Sequence, residues 1–147
     1  MSTYTQILYQ IIFSTNGRER SLSGDRARLY RFIWGVLNNK KCHLYRIGGV
    51  DDHIHIIAGI HPMQSLAQLV KDIKLSSSKF VKEEKVFTQF NGWQNGYGAF
   101  TYHIDMKGTL IEYVKSQEEH HTKVSFRDEY IKLLSEHGVQ FDEKYLF

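Results

Sequence analysis

Two histidines lie one residue apart in an apolar run, Asp52-His53-Ile54-His55-Ile56-Ile57. Successive side chains of a β-strand project to opposite faces, so a strand here would place both rings on one face and the isoleucines on the other. Neutral imidazole nitrogens are common ligands of divalent cations, and a strand fixes the distance between the two rings. The alternative is that the rings bond to backbone carbonyls or lie on a solvated face. The apolar neighbours favour a metal site, because such a strand has little structural use for two polar rings.

A second candidate group is Tyr113-Val114-Lys115-Ser116-Gln117. Positions four apart share a helix face, so Tyr113 and Gln117 would point the same way. A phenol has a pKa of about 10, so Tyr113 could act as a nucleophile near neutral pH only with a base, a metal or an activated electrophile. Gln117 could ligate a hard cation through its amide oxygen or orient an attacking group. Packing for the tyrosine and helix surface for the glutamine are the ordinary alternatives.

The other histidines show no comparable pattern. His120 and His121 would end the same helix, where a cation interacts favourably with the helix dipole, and we interpret them as structural. The remaining four have no partner visible in the sequence: His43, His61, His103 and His137.

The elements that must position these residues alternate along the chain. Strands are predicted at 4–14, 42–50, 53–60 and 97–104, and 87–96 is predicted to be a loop. One helix should follow the capping residues 21–25 and end at Asn38-Asn39, and the next should have Pro62 in its first turn and continue through Val81. Two more helices are expected at about 109–120 and 125–136. The order is βαββαβ followed by two helices.

This order predicts an α+β fold with a ferredoxin-like antiparallel sheet and added C-terminal helices. The short polar link Asp51-Asp52 favours an antiparallel hairpin between the second and third strands. If Ile54 and Ile56 pack under the first two helices, the histidine pair must open onto the opposite face. The helix that carries Tyr113 can dock there.

Composition narrows the class of protein. The chain has 147 residues, 41% of them hydrophobic, and a single proline, as expected of one ordered domain spanning 1–147. Cys42 is the only cysteine, and no opening segment has the pattern of a secretory signal, so we expect a reducing cytoplasm. No apolar stretch approaches the roughly 20 residues that cross a bilayer. The net charge of +3 is compatible with a polyanionic partner.

Some basic, hydroxyl and aromatic residues suit single-stranded nucleic acid. Lysines on the second helix ordinarily form a solvated face, but a neighbouring serine could add a donor to phosphate, and exposed aromatic rings could stack on bases. The residues predicted to bind DNA are Arg18, Lys71, Lys74, Ser77, Lys79, Trp93 and Tyr97.

Several motifs in fixed order resemble one family. They occupy 9–15, 52–55, 74–78, 92–100, 113–117 and 118–121. In this order and spacing the chain resembles the HUH single-strand transposases of small bacterial insertion sequences, which include the REP-associated tyrosine transposases. It departs from the pattern at Asp51, where relatives often have proline, and at Asn16-Gly17-Arg18, where many have a more basic turn.

The resemblance implies a role for each candidate residue. His53 and His55 would be metal ligands, Gln117 the third protein ligand to Mg²⁺ or Mn²⁺, and Tyr113 the nucleophile. The implied protein is a homodimer that cleaves single-stranded DNA hairpins at element ends through a covalent 5′-phosphotyrosine, without a nucleotide cofactor. Two alternatives stay open: an inactive relative that only binds single-stranded nucleic acid, and a metal hydrolase that uses water.

Overall fold

A four-stranded antiparallel sheet forms the centre of the computed structural model, which describes residues 2–146. Its strands are β1 (Leu8–Ser14), β2 (His43–Gly49), β3 (His53–Gly59) and β4 (Gly98–Tyr102). The strand order is β2-β3-β1-β4, and every neighbouring pair is antiparallel. The prediction of a ferredoxin-like α+β fold is confirmed, as is the β2–β3 hairpin.

Helices follow the strands in the predicted order. They are α1 (Arg26–Asn39), α2 (Leu66–Glu83), α3 (Lys107–Lys115), α4 (Gln117–His120) and α5 (Phe126–Glu136). Short 3₁₀ turns occur at Asn16–Arg18, Ile104–Met106 and Glu143–Tyr145. Within residues 2–146, no helix is both long and apolar enough to span a membrane.

Two predicted helix boundaries are wrong. Pro62 lies in a turn before α2, and the helix begins at Leu66 because the Ser65 hydroxyl accepts a hydrogen bond from the Gln68 amide and caps it. The helix predicted over 109–120 is interrupted at Ser116, which separates α3 from α4. The first strand also begins at Leu8 rather than at residue 4.

The sheet lies between two helical layers. On one face, Ile54, Ile56 and Ala58 pack with residues of α1 and α2 in the main core. On the other face, Ile57 packs with Leu110 and Val114 of α3, while Ile12 and Phe100 pack with α5. The alternation predicted for β3 is therefore present, and the face that carries its histidines is covered by α3 and α5.

Two glycines let the second layer lie close to the sheet. A Cβ at Gly48 on β2 would come within 2.9 Å of Val114 Cγ1, and one at Gly98 on β4 within 2.6 Å of the Tyr130 ring. Side chains at these positions would push α3 and α5 outward. The close approach brings residues of both helices to the histidine pair.

Candidate metal centre and tyrosine site

The two β3 histidines are buried, and each ring is fixed through its Nδ1 atom. His53 Nδ1 lies 2.6 Å from Asp52 Oδ1, and His55 Nδ1 lies 2.9 Å from the Gln10 amide oxygen. Carboxylate and amide oxygens accept hydrogen bonds, so Nδ1 donates in both rings. Gln10 is itself held, because its amide nitrogen donates to the Tyr102 hydroxyl at 2.9 Å. The arrangement directs both Nε2 atoms away from β3 toward the covering helices.

The two Nε2 atoms face the carboxylate of Glu129, which projects from α5. Glu129 Oε1 lies 3.5 Å from His53 Nε2, 3.3 Å from His55 Nε2 and 3.0 Å from His121 Nε2. One ligand atom from each of these four residues lies within 4.8 Å of the others. This group could hold a metal ion.

The residues of α3 and α4 reach the same centre. Gln117 is buried, and its amide oxygen lies 3.2 Å from His53 Nε2 while its amide nitrogen donates to Glu129 Oε2 at 3.1 Å. The half-buried Tyr113 donates its hydroxyl hydrogen bond to the same carboxylate oxygen. Its ring centroid is 5.7 Å from that of His55. The structure thus brings together all four residues predicted for catalysis and metal binding, within one chain.

A cation fits the His55 environment. Its Nε2 atom is buried and has no hydrogen-bond partner among the described residues, although Glu129 Oε1 is 3.3 Å away. Burial lowers the pKa of His55 to about 4, so the ring is neutral at neutral pH and Nε2 presents a lone pair. Two acceptors facing each other in a buried site are stabilised when a proton or a metal cation lies between them. The donor set of the site therefore suits a metal ion.

The buried surroundings shift the pKa values of Glu129, His53 and Tyr113. Burial alone would raise the pKa of Glu129, but hydrogen bonds from the surrounding imidazoles hold the pKa far below its ordinary range. Burial would lower the pKa of His53, but its hydrogen bonds to Asp52 and Glu129 outweigh burial and raise the pKa. Burial and the Glu129 charge raise the pKa of Tyr113. The phenol therefore keeps its proton in the metal-free protein.

Sequence reasoning missed several residues of the site. Glu129 lies on α5, a different helix from the one that ends next to His121, so no helical spacing connects it with the other site residues. His121 was interpreted as structural, although its ring contacts Glu129. The signal that could have identified Gln10 is a polar residue inside the buried strand β1. Asp52 adjoins the histidine motif but was interpreted only as part of a connection.

Four residues predicted to bind DNA converge on one groove. A cavity of about 430 Å³ is lined by Lys71, Lys74, Trp93 and Tyr97. The Lys74 ammonium donates to the Gln94 and Gly96 carbonyls, so this residue holds the 92–97 loop. The groove is thus partly built by the residues that were predicted to contact DNA.

The other three predicted DNA-binding residues lie apart from this lining. Ser77 is fully buried and accepts a hydrogen bond from Trp93 Nε1 at 2.9 Å, so it can affect DNA only through that ring. Lys79 is exposed on α2, 3.9 Å from Glu83. Arg18 lines a separate pocket of about 560 Å³, which also borders Asp52 and His121 of the metal centre.

The site thus combines a buried imidazole pair on a ferredoxin-like sheet, a carboxylate that could share a metal ion with it, and a tyrosine on a covering helix. The family model for the IS200-like transposases matches residues 3–117, and the chain belongs to this family of DNA-processing enzymes. No curated protein sequence matches the chain.

Two solved structures share the fold. One is a provisionally assigned transposase from Deinococcus radiodurans R1, with 18% identity, a TM-score of 0.60 and coverage of 80% of this chain and 95% of that one. The other is a REP-associated tyrosine transposase bound to a REP hairpin, with 15% identity, a TM-score of 0.59 and coverage of 84% and 76%. At 18% and 15% identity, these two similarities show a shared fold and nothing more.

Proposed function

We propose that this member of the IS200-like family is a single-strand DNA transposase that cleaves DNA through a covalent bond to Tyr113. The observation that carries the proposal is the position of the Tyr113 hydroxyl, which is bonded to Glu129 beside the buried histidine pair. A tyrosine with only a packing role would not need its hydroxyl on the carboxylate that also faces the histidine pair.

The metal would be held by His53, His55 and Gln117, and we propose Mg²⁺ or Mn²⁺. When bound, the ion would neutralise charge on the scissile phosphate. Asp52 and Gln10 hold the two buried rings in place, which supports this assignment. Neither ring needs to reorient before the lone pair of its Nε2 atom can bind the ion.

The proposed reaction is a phosphodiester transesterification. The Tyr113 oxygen attacks the phosphorus, the bond from phosphorus to the 3′-oxygen breaks, and a 5′-phosphotyrosine forms. The phenolic proton passes along the existing hydrogen bond to Glu129, and the departing 3′-oxygen takes up a proton from water to become a hydroxyl. Attack by a 3′-hydroxyl on the phosphotyrosine later rejoins DNA and releases the tyrosine. The bond energy is kept in the ester, so we expect no nucleotide cofactor.

The proposed substrate is a single-stranded hairpin at the end of a mobile element. The structural neighbour bound to a REP hairpin supports a substrate of this kind. We propose that exposed residues contact the strand, among them Lys71, Lys79 and Tyr97, while Arg18 approaches it in the pocket beside the metal centre. Homodimerisation and a cytoplasmic location stay predictions, and the contacts of Tyr113 with its own chain favour a site completed within one subunit.

A covalent adduct on a denaturing gel tests the proposal. Wild-type protein, Mn²⁺ and labelled single-stranded hairpins from the DNA surrounding the gene should give a protein–DNA conjugate. Tyr113→Phe should abolish it, while the exposed-site control Tyr145→Phe should retain it. A conjugate that persists in Tyr113→Phe would refute the nucleophile. Cleavage without a conjugate would indicate the water-using hydrolase, and hairpin binding without cleavage would indicate the inactive binding protein.

A further inference from the structure

We propose that Glu129 is a bridging carboxylate that joins the metal ion to the nucleophile. One oxygen would ligate the ion together with His53, His55 and His121, and the other would hold the Tyr113 hydroxyl. The inference rests on the proposed function for the presence of the ion, and it adds ligands from a part of the chain beyond the family-matched residues 3–117.

The spacing around Glu129 Oε1 is that of ligands of one ion. Its three distances to imidazole Nε2 atoms are 3.0, 3.3 and 3.5 Å. Metal–ligand bonds of about 2.0–2.2 Å place neighbouring ligands roughly 3.0–3.5 Å apart. Without an ion, the 3.0 Å approach of His121 Nε2 is a hydrogen bond to this oxygen, and the ion would take its place among the three rings that converge there.

The second carboxylate oxygen faces the nucleophile. Oε2 accepts hydrogen bonds from the Tyr113 hydroxyl and, at 3.1 Å, from the Gln117 amide nitrogen, and His120 Nε2 lies 3.4 Å away. The two oxygens therefore have different surroundings: Oε1 faces the rings of His53, His55 and His121, whereas Oε2 faces the phenol, the amide and the His120 ring. This division lets one side chain set the position of Tyr113 relative to the ion.

Helix α5 is built to keep Glu129 in place. The Ser125 hydroxyl accepts from the Asp128 amide at the start of the helix, and the Phe126 ring stacks on His53 with centroids 3.9 Å apart. Glu129 is only 3% exposed, so water competes little for its oxygens. A buried carboxylate among imidazoles, in the first turn of a capped helix, is preorganised for binding.

The enlarged donor set also changes the expected metal. With His121 and Glu129 added to His53, His55 and Gln117, the set has three imidazole nitrogens, one carboxylate and one amide oxygen. Such a set suits ions such as Mn²⁺, Co²⁺ and Zn²⁺, whereas Mg²⁺ prefers oxygen ligands and retains water. The full chain should therefore bind Mn²⁺ more tightly than Mg²⁺ in the absence of DNA.

Calorimetric titration of the metal-free full chain with MnCl₂ tests the bridge. Glu129→Gln should lower the Mn²⁺ affinity at least about tenfold, because it removes a charged ligand while preserving shape. Glu119→Gln makes the same change at an exposed position on α4 and should leave the affinity unchanged. Equal Mn²⁺ affinity in Glu129→Gln and wild type would overturn the proposal, as would Mg²⁺ binding as tight as Mn²⁺ binding.

A second variant tests the bridge even if Glu129→Gln does not fold, and a metal spectrum tests it by a second readout. Circular dichroism reports whether Glu129→Gln is folded. If it is not folded, His121→Gln is the deciding variant, and we expect it to bind Mn²⁺ at least about tenfold more weakly than the wild type. Unchanged Mn²⁺ binding in His121→Gln would contradict the proposal. The visible absorption of the Co²⁺-loaded protein should differ between Glu129→Gln and wild type. A spectrum identical to the wild type would mean that Glu129 is not a ligand.

The two proposals fail separately. If the wild type forms the adduct and Glu129→Gln binds Mn²⁺ normally, Glu129 is not a bridging ligand, and the proposed transposase function is unaffected. If Mn²⁺ binding depends on Glu129 but the wild type forms no adduct, the bridging ligand is supported and the proposed transposase function is refuted.

Discussion

The Nδ1 partners of the two histidines determine what the rings can do. Asp52 and Gln10 accept from Nδ1 and so leave Nε2 of each ring to the site. Partners of this kind tune the affinity of a metal centre without touching the ion. The charge of Asp52 also supports the neighbouring cationic centre, since His53 is fully buried beside it.

Removing the Asp52 carboxylate should therefore weaken metal binding. Asp52→Ala is expected to lower Mn²⁺ affinity by roughly 10–100-fold, because His53 loses the acceptor that orients it. Asp51→Ala, one residue earlier in the same connection, is the matched control. Titration calorimetry on both variants gives the comparison, and equal affinities would show that the Asp52 contact is incidental.

At the residue scale, the sequence predicted what depends on local periodicity and missed what depends on packing. His53 and His55 were predictable because alternation on a strand places both rings on one face. Glu129 was not, because its approach to His55 depends on how α5 crosses the sheet, which no spacing within the helix encodes. His121 needed the same information.

At the scale of elements, the docking of α3 on β2 sets the position of the nucleophile. Gly48 contacts Val114, the residue after Tyr113, and a Cβ there would lie 3.2 Å from the Val114 carbonyl oxygen as well as 2.9 Å from Cγ1. A side chain at this point must displace the helix or the strand. Tyr113 would move with the helix, while the β3 histidines would stay.

Gly48→Ala should accordingly reduce adduct formation while leaving the β3 histidines in position. A misplacement of about 1 Å can cost about 100-fold in rate, so we expect a loss of at least about tenfold. Gly35→Ala on α1 is the control, since a Cβ there meets nothing within 4 Å. Initial rates of conjugate formation measure the effect, and circular dichroism checks the fold. A wild-type rate in Gly48→Ala would mean that α3 docking does not limit the reaction.

The order and type of the main elements were predictable because each has a strong apolar period and clear turn residues. The interruption at Ser116 was not predictable, since neither a glycine nor a proline marks it in the sequence. It matters for the site, because α4 begins at Gln117 and so brings this residue and His121 to the centre from a different direction than α3. At Pro62 the sequence predicted a helix start that is not there. Proline suits the first turn of a helix, but this one lies in a turn, and the side-chain cap at Ser65 sets the start of α2.

At the scale of the whole molecule, the site joins strand β3 to helices that come about fifty residues or more later in the chain. Buried polar side chains at the metal centre, and apolar residues around them, connect β3 with the α3–α4 pair and with α5. The face that was predicted to be free for a site and for the Tyr113 helix is also covered by α5, which the sequence did not place. Protonation of the centre should consequently affect global unfolding.

The metal-free protein should lose stability as the pH falls from 6.5 toward 4. Burial lowers the pKa of folded His55 to about 4, whereas the unfolded chain takes up this proton at about 6.5. A group with a depressed folded pKa stabilises the protein above its unfolded value, and that stability is lost as the pH falls toward the folded pKa. The difference corresponds to roughly 3 kcal/mol over this interval.

His55→Gln isolates this contribution, because both proteins keep His53 and Glu129. Urea unfolding in the presence of a chelator, at several pH values between 7 and 4, should give a steeper fall in the free energy of unfolding for the wild type than for His55→Gln. His43→Gln, at an exposed position on β2, should follow the wild type. Parallel curves for the wild type and His55→Gln would mean that His55 takes up its proton in the folded protein as readily as in the unfolded chain, and that the ring is not kept neutral for a cation.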